Sequence, residues 1–153
     1  MGRLKPIDEF HSLAAGMVGR PVLHAWRGLG TAIILEFGRP RSRKPGVSKG
    51  DGTAMLEGEW RVEEGRTIAF SSASGEQRIR NGIGSLVGLK VEGVEVQGRL
   101  PELVIAPSGG VWVTAFTLLE RHPQWTLYIP DGSCVTSRSG RVEIDRGVKT
   151  GAA

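Results

Sequence analysis

The sequence predicts a mainly β protein, α+β at most, in which two duplicated antiparallel β-meander modules are related by pseudo-twofold symmetry. Three observations support this class. Glycine supplies 23 of the 153 residues and proline 8, which favours many turns and few long helices. Short segments rich in branched and aromatic residues recur between glycines, and one residue pattern occurs twice. The length fits one domain over residues 1–153.

The first predicted element is a short N-terminal helix, because apolar residues near the start recur at helical spacing. These residues are Ile7, Phe10, Leu13, Ala14 and Met17. The pattern predicts a helix over residues 7–16, with the acidic Asp8 in its first turn and Gly16 at its end.

A second short helix is predicted between the two modules. Its apolar residues at helical spacing are Ile79, Ile83 and Leu86. Because Gly82 and Gly84 interrupt the same stretch and weaken a helix, we expect this linking helix to be brief.

Ten strands are predicted from short runs of branched and aromatic residues bounded by glycine. They cover residues 22–26, 32–37, 60–62, 67–70, 91–96, 103–106, 111–116, 125–129, 134–136 and 142–144. Strands of this length, joined by short turns, are typical of antiparallel meanders.

The internal repeat starts from two matching hexapeptides, Met-Val-Gly-Arg-Pro-Val at 17–22 and Leu-Val-Gly-Leu-Lys-Val at 86–91. In each copy an apolar strand and then a strand beginning with tryptophan follow, at Trp60 and Trp125. This predicts a first β-module over 17–73 and a second over 86–139. Glycine-rich β sequences also produce such matches by coincidence, and that alternative stays open.

The repeated units resemble small bacterial β-rich families built from a Leu-x-Gly step, a strand, a glycine and a tryptophan strand. Some of these families are of the immunity-protein type found in toxin systems. The resemblance covers about two-thirds of the chain. It implies a β-rich fold and a role in binding a protein, and it assigns no site residue.

The net charge of +4 is concentrated in one predicted flexible loop, residues 39–52. Its basic residues are Arg39, Arg41, Arg43, Lys44 and Lys49, and without these five the whole chain holds 15 basic against 16 acidic residues, Asp51 of the loop included. Proline, glycine and serine between the charges favour a polar loop. Such a loop either is simply solvated, or binds nucleic acid phosphates, or binds an acidic protein.

No residue pattern points to catalysis, a metal or a cofactor, and we expect none. His11, His24 and His122 are far apart and lack the paired spacing of metal ligands. Cys134 lies in a predicted strand, where no helix N-terminus lowers its pKa, so we interpret it as a buried structural thiol. Glu57 and Glu59 share a strand face but lie near a turn, which favours a solvated edge.

The four tryptophans divide into two pairs. Trp60 and Trp125 occupy equivalent places in the repeat and are predicted to anchor the core. Trp26 and Trp112 have no counterparts, and with Arg27 they are our candidate binding residues, because tryptophan and arginine are enriched at binding hot spots.

His24 and Trp26 fall on one face of a predicted strand and can line a pocket, although a histidine bonded to the backbone is the simpler interpretation of His24.

The sequence therefore predicts a non-enzymatic cytoplasmic protein that binds another protein, with an immunity-type role as one example. The cytoplasmic location rests on the single cysteine and on the lack of a long apolar run, which also argues against membrane insertion. One alternative is a small-molecule binder or enzyme with a pocket between the modules, lined by His24, Trp26 and Trp112. Another is nucleic-acid binding through residues 39–49, with Arg41, Arg43 and Lys44 as candidate contacts.

Overall fold

The computed structural model describes residues 6–39, 51–120 and 122–146. Its helical elements are α1 (Pro6–Ala14), a 3-10 turn (Ala15–Met17) and α2 (Glu76–Leu86). Its strands are β1 (Val22–Arg27), β2 (Ile33–Phe37), β3 (Gly52–Leu56), β4 (Trp60–Glu64), β5 (Thr67–Ser71), β6 (Val91–Gln97), β7 (Glu102–Pro107), β8 (Val111–Ala115), β9 (Trp125–Tyr128), β10 (Cys134–Arg138) and β11 (Arg141–Asp145).

The strands form two antiparallel sheets that share one apolar core. The six-stranded sheet has the order β1-β2-β3-β9-β10-β11, and the five-stranded sheet has the order β5-β4-β8-β7-β6. Side chains alternate between the two faces of a strand. Ile33, Leu35 and Phe37 of β2 are therefore fully buried in the core, while Ile34 and Glu36 point to the opposite face of the sheet. The predicted mainly β class is confirmed.

The two helices cover the edges of the sheets. Helix α1 contacts β6 and β11, and α2 contacts β1 and β5, so each helix spans an edge strand of one sheet and an edge strand of the other. Covered edges are protected from pairing with another chain. Within the described part of the chain, neither helix has the length and apolar character that crossing a bilayer requires.

Helix α2 runs for 11 residues and is longer than the brief helix that we expected. Ile79, Ile83 and Leu86 form its buried face, as predicted. A Cβ atom at Gly82 would overlap the ring of Phe70, whereas Gly84 has open space around its Cα. Gly82 therefore lets α2 lie directly on β5, and the packing outweighs the low helix propensity of glycine.

The two halves of the chain follow the same order of elements, a helix, a three-strand meander and then strands that join the other sheet. The starts of β1 and β6 bind each other reciprocally. The amide of Gly19 donates to the carbonyl of Val91 at 2.7 Å, and the amide of Gly88 donates to that of Val22 at 2.8 Å. Both glycines have left-handed backbone, φ +86° and +93°, a conformation that glycine adopts without strain.

The tryptophans at equivalent sequence positions are both core anchors, as predicted. Trp60 and Trp125 are 1% and 0% exposed. Their indole N–H groups donate to carbonyls in turns that join strands of the other sheet, Trp60 to Thr31 at 2.7 Å and Trp125 to Pro101 at 3.1 Å. Internal duplication as the origin of this correspondence stays a prediction.

One strand was missed, and one loop boundary is corrected. Ten of the 11 strands in the described part of the chain match the predicted segments. The unpredicted one is β3, whose sequence Gly-Thr-Ala-Met-Leu is poor in branched and aromatic residues. Because β3 begins at Gly52, the predicted loop 39–52 ends one residue earlier. Residues 40–50, with the candidate contacts Arg41, Arg43 and Lys44, lie outside the described residues.

Candidate functional site

The outer face of the six-stranded sheet carries apolar and aromatic side chains. Trp26 of β1 pairs with Ile34 of β2, and Ile34 pairs with Met55 of β3. Tyr128 of β9 pairs with Thr53 of β3. Each of these residues alternates with a core position of its strand, so its side chain points away from the core.

These side chains line an open cavity of about 680 Å³, which we call the outer groove. Its lining residues are Trp26, Ile34, Glu36, Asp51, Thr53, Met55, Tyr128, Ile129, Gly132 and Ser133. Pockets that bind small ligands fall in the range of about 300–1,000 Å³. The outer groove is therefore large enough to hold one or two side chains or a small molecule.

Two carboxylates lie on the lining of the outer groove. Glu36 is only 5% exposed and accepts a hydrogen bond of 2.7 Å from the hydroxyl of Thr53. Asp51 pairs with the guanidinium of Arg20 at 2.6 Å and accepts a bond of 3.1 Å from the amide of Arg39. Both acids are thus held by the protein itself, and they give the lining a polar side next to its apolar floor.

Tyr128 borders the groove and keeps its proton at neutral pH. Burial raises the pKa of its phenol above the ordinary 10.0, and the nearby Cys134 and Glu57 raise this pKa further. A protonated phenol both donates and accepts hydrogen bonds. Tyr128 therefore offers an aromatic face and a donor at the edge of the groove.

His24 and Trp26 lie on the same face of β1, as predicted. Their ring centroids are 5.0 Å apart, and His24 is exposed to solvent. Arg27 does not line the outer groove, but it lines a smaller cavity of about 370 Å³ together with Trp26. Its guanidinium donates to the carbonyl of Gly30 at 3.0 Å and lies 3.9 Å from the carboxylate of Glu76. Of the predicted binding residues that the structure describes, only Trp26 lines the outer groove, and the ring of His24 lies tilted beside it.

Trp112 lies on the outer face of the other sheet. It lines a second groove of about 420 Å³, which we call the paired groove because a bonded pair occupies it. There Arg61 binds Glu63 at 2.5 Å, and its guanidinium lies 5.0 Å from the ring centroid of Phe116. Both grooves are lined by residues of the two predicted modules, but they lie on different sheets. Trp112 is therefore not brought to His24 and Trp26, and no cavity of the described residues is lined by all three.

The sequence did not single out Ile34, Met55 or Tyr128. An available signal was that Ile34 alternates with the buried Ile33 and Leu35 and is still apolar, although an outward position on a sheet is usually polar. Met55 had no such signal, because its strand was not predicted.

The described residues hold no group of three or more acidic, histidine or cysteine side chains that could bind a metal ion. The thiol of Cys134 is partly buried, 3.8 Å from the hydroxyl of Thr136. The chemistry that the outer groove offers is apolar contact, aromatic stacking and hydrogen bonding.

Comparisons with family models, with curated proteins and with solved structures find no match to this chain.

Proposed function

We propose that the chain is a non-catalytic binding protein and that the outer groove is the surface on which it takes a partner protein. One observation carries the proposal: apolar and aromatic side chains lie open on the outer face of a sheet whose other face already holds the core. Trp26, Ile34 and Met55 are only half-buried there, and Tyr128 is exposed, so they add less to folding than the core residues do. Exposed apolar concavities are typical of interaction sites.

The lining indicates what the partner presents. Ile34 and Met55 form an apolar floor, with the rings of Trp26 and Tyr128 beside it. Tryptophan and tyrosine dominate binding energy at interfaces, because they bury large areas at a small entropy cost. An apolar or aromatic side chain of the partner fits this floor, and a neighbouring polar group of the partner bonds to the phenol of Tyr128.

The same proposal includes a cytoplasmic, bacterial protein with a duplicated scaffold, and an immunity-type role in which the partner is a toxin. The single cysteine and the reciprocal bonds between the starts of β1 and β6 support these parts.

The experiment is affinity capture from the cytosol of the native host, with identification of the retained proteins and measurement of their Kd. We expect Trp26→Ala to weaken binding by about tenfold or more, since truncating a hot-spot residue costs at least about 2 kcal/mol. Trp112→Ala is the matched control, because it makes the same substitution on the opposite outer face. Loss of the partner with Trp112→Ala and retention with Trp26→Ala would contradict the proposal.

A small-molecule ligand is a second candidate, favoured by the groove volume of about 680 Å³. Native mass spectrometry of protein purified from its host separates the two functions. A bound small molecule that is lost with Trp26→Ala supports this candidate, whereas a co-purifying protein that is lost with the same variant supports the first.

A further inference from the structure

A cavity of about 370 Å³ lies between helix α2 and the edge strand β1. Three of the residues that line it belong to β1 and three to α2, namely Ala25, Trp26, Arg27, Arg80, Ile83 and Gly84. Both charged side chains in this set are arginines, so we call the cavity the arginine cleft. Among the described residues that line it there is no acid to balance them.

The two arginines converge on one carboxylate, that of Glu76. Its Oε1 atom accepts a hydrogen bond of 3.0 Å from Arg80 and lies 3.9 Å from the Nη1 atom of Arg27. Glu76 and Arg80 are four residues apart in α2, which places them on the same side of the helix. Because two guanidinium groups share one carboxylate, this cluster keeps a net positive charge beside the cleft.

Arg27 also carries a hydrogen-bond donor that the protein does not use. Its Nη2 atom donates to the carbonyl of Gly30 at 3.0 Å, whereas its Nε–H is buried and has no acceptor among the described residues. The side chain as a whole is 26% exposed and lines the cleft. A bond from this N–H to an incoming oxygen would replace no bond within the protein and would be charge-assisted.

The rest of the cleft is apolar. Ile83 is 5% exposed, and Trp26 and Ala25 are half-buried. A Cβ atom placed on Gly84 would meet no atom within 4 Å, so the helix leaves room at this position. The cleft therefore combines two cationic side chains with an aromatic and aliphatic lining.

We propose that the arginine cleft binds a small oxyanion, a carboxylate or a phosphate ester, that carries a planar or apolar group. Guanidinium groups match the geometry of both oxyanions. The attached group packs against Trp26 and Ile83. The volume falls in the range of small-ligand sites. This site is separate from the outer groove, although Trp26 borders both cavities.

The test is a ligand-detected NMR titration of the full chain with benzoate, phenyl phosphate and benzamide. Benzamide has nearly the shape of benzoate but no charge, so it is the control for the oxyanion. We expect at least one anion to bind with a Kd of about 1 mM or tighter. Benzamide should bind at least about tenfold more weakly, because it forms no charge-assisted bond. The tighter of the two anions identifies the class of oxyanion.

Filling the cleft should remove binding without unfolding the helix. Gly84→Leu places a side chain in the open space at residue 84, and leucine favours a helix more than glycine does. We expect this variant to keep the wild-type unfolding midpoint and to lose the anion. Ser85→Leu is the matched control, because it adds the same side chain at an exposed neighbouring residue that does not line the cleft.

Two further variants test the guanidinium groups. Arg27→Lys keeps the charge but removes the Nε donor and the planar fork, and it should weaken anion binding by about tenfold. Arg80→Gln should weaken it about threefold, since the Arg80 side chain is 64% exposed and its charge is screened. Arg141→Gln removes an equal charge from β11, at the opposite edge of the sheet from β1, and should leave binding unchanged.

Tyr128→Ala separates the arginine cleft from the outer groove, because Tyr128 lines the outer groove and not the cleft. This variant should keep anion binding, so failure of one site is distinguishable from failure of the other. The proposal is overturned if neither anion binds saturably, if benzamide binds as tightly as benzoate, or if Gly84→Leu retains the anion. It is also overturned if Tyr128→Ala abolishes binding, or if Arg141→Gln weakens it as much as Arg80→Gln.

Discussion

The outer groove and the paired groove occupy corresponding positions in the two sheets but are lined by side chains of different chemistry. In the six-stranded sheet Ile34 pairs with Met55, and in the five-stranded sheet Val104 pairs with Thr114. One step along, Thr53 pairs with Tyr128, and Trp112 pairs with Glu63. The paired groove is occupied by the Arg61–Glu63 pair, while the outer groove keeps its apolar side chains open.

This difference shows that two sheets with corresponding strand order offer equivalent positions, and that single side chains decide whether such a position stays open. The carboxylate of Glu63 accepts a hydrogen bond from the guanidinium of Arg61, so each charge is paired within the groove. An aromatic ring at residue 128 has no such partner among its row neighbours Thr53 and Cys134. The comparison leads to four predictions, given from the largest expected effect to the smallest.

Replacing either core tryptophan tests whether the two halves are energetically equivalent. We expect Trp60→Ala and Trp125→Ala each to lower the free energy of unfolding by about 3–5 kcal/mol, because each leaves a large cavity and an unpaired carbonyl. Urea denaturation measures the loss. If one variant loses less than half as much as the other, the halves are not equivalent supports of the core.

The two glycines of α2 should respond in opposite directions to alanine. Gly82→Ala is expected to cost about 1–3 kcal/mol, because the new methyl group overlaps Phe70. Gly84→Ala serves as the control in the same helix and should stabilise the protein by up to about 1 kcal/mol, because its Cβ meets no atom. Thermal unfolding of the two variants gives both signs, and equal effects would contradict the described contact between α2 and β5.

Removing the ion pair from the paired groove should change the free energy of unfolding only slightly. Arg61 and Glu63 have side chains that are 39% and 27% exposed, so solvent screens their attraction. We expect Arg61→Gln to change the free energy of unfolding by less than about 1 kcal/mol. A chemical denaturation curve indistinguishable from wild type agrees with this, and a loss comparable to that of a core tryptophan would show that the pair supports the fold.

Tyr128 is the only tyrosine of the chain, so its ionisation can be followed directly by ultraviolet absorbance. The titration midpoint should lie above 10.0, since burial raises the pKa of Tyr128 and Cys134 and Glu57 add to the effect. Cys134→Ser and Glu57→Gln should each lower it.

The sign of the pH dependence follows from the raised pKa. The unfolded chain ionises first, so the contribution of Tyr128 to stability is present below the ordinary pKa and is lost as the pH rises through the folded one. Tyr128→Phe should therefore reduce the loss of stability at alkaline pH. A midpoint of the Tyr128 titration at or below 10.0 would contradict the described surroundings of its phenol.

Sequence reasoning reached most of the scaffold but only part of the site. Glycine spacing and branched runs gave ten of the strands, and alternation placed His24 beside Trp26. It missed β3, because weakly β-forming residues become a strand there only by pairing with β2 and β9. Met55 and Tyr128 were missed for a related reason, as their neighbours in the groove are distant in the chain.

The sequence by itself determined the class of the fold, the two core tryptophans and the places where the chain turns. These properties depend on the local periodicity of apolar residues and on the steric freedom of glycine, and both can be read directly from the sequence. Only the tertiary structure decided that Trp26 and Trp112 face opposite sides, that Arg61 pairs with Glu63, and that the side chain of Gln124 binds the amides of Leu118 and Leu119. The physical reason is that strand order and register, which bring residues far apart in sequence together, are set by how two sheets and two helices share one core.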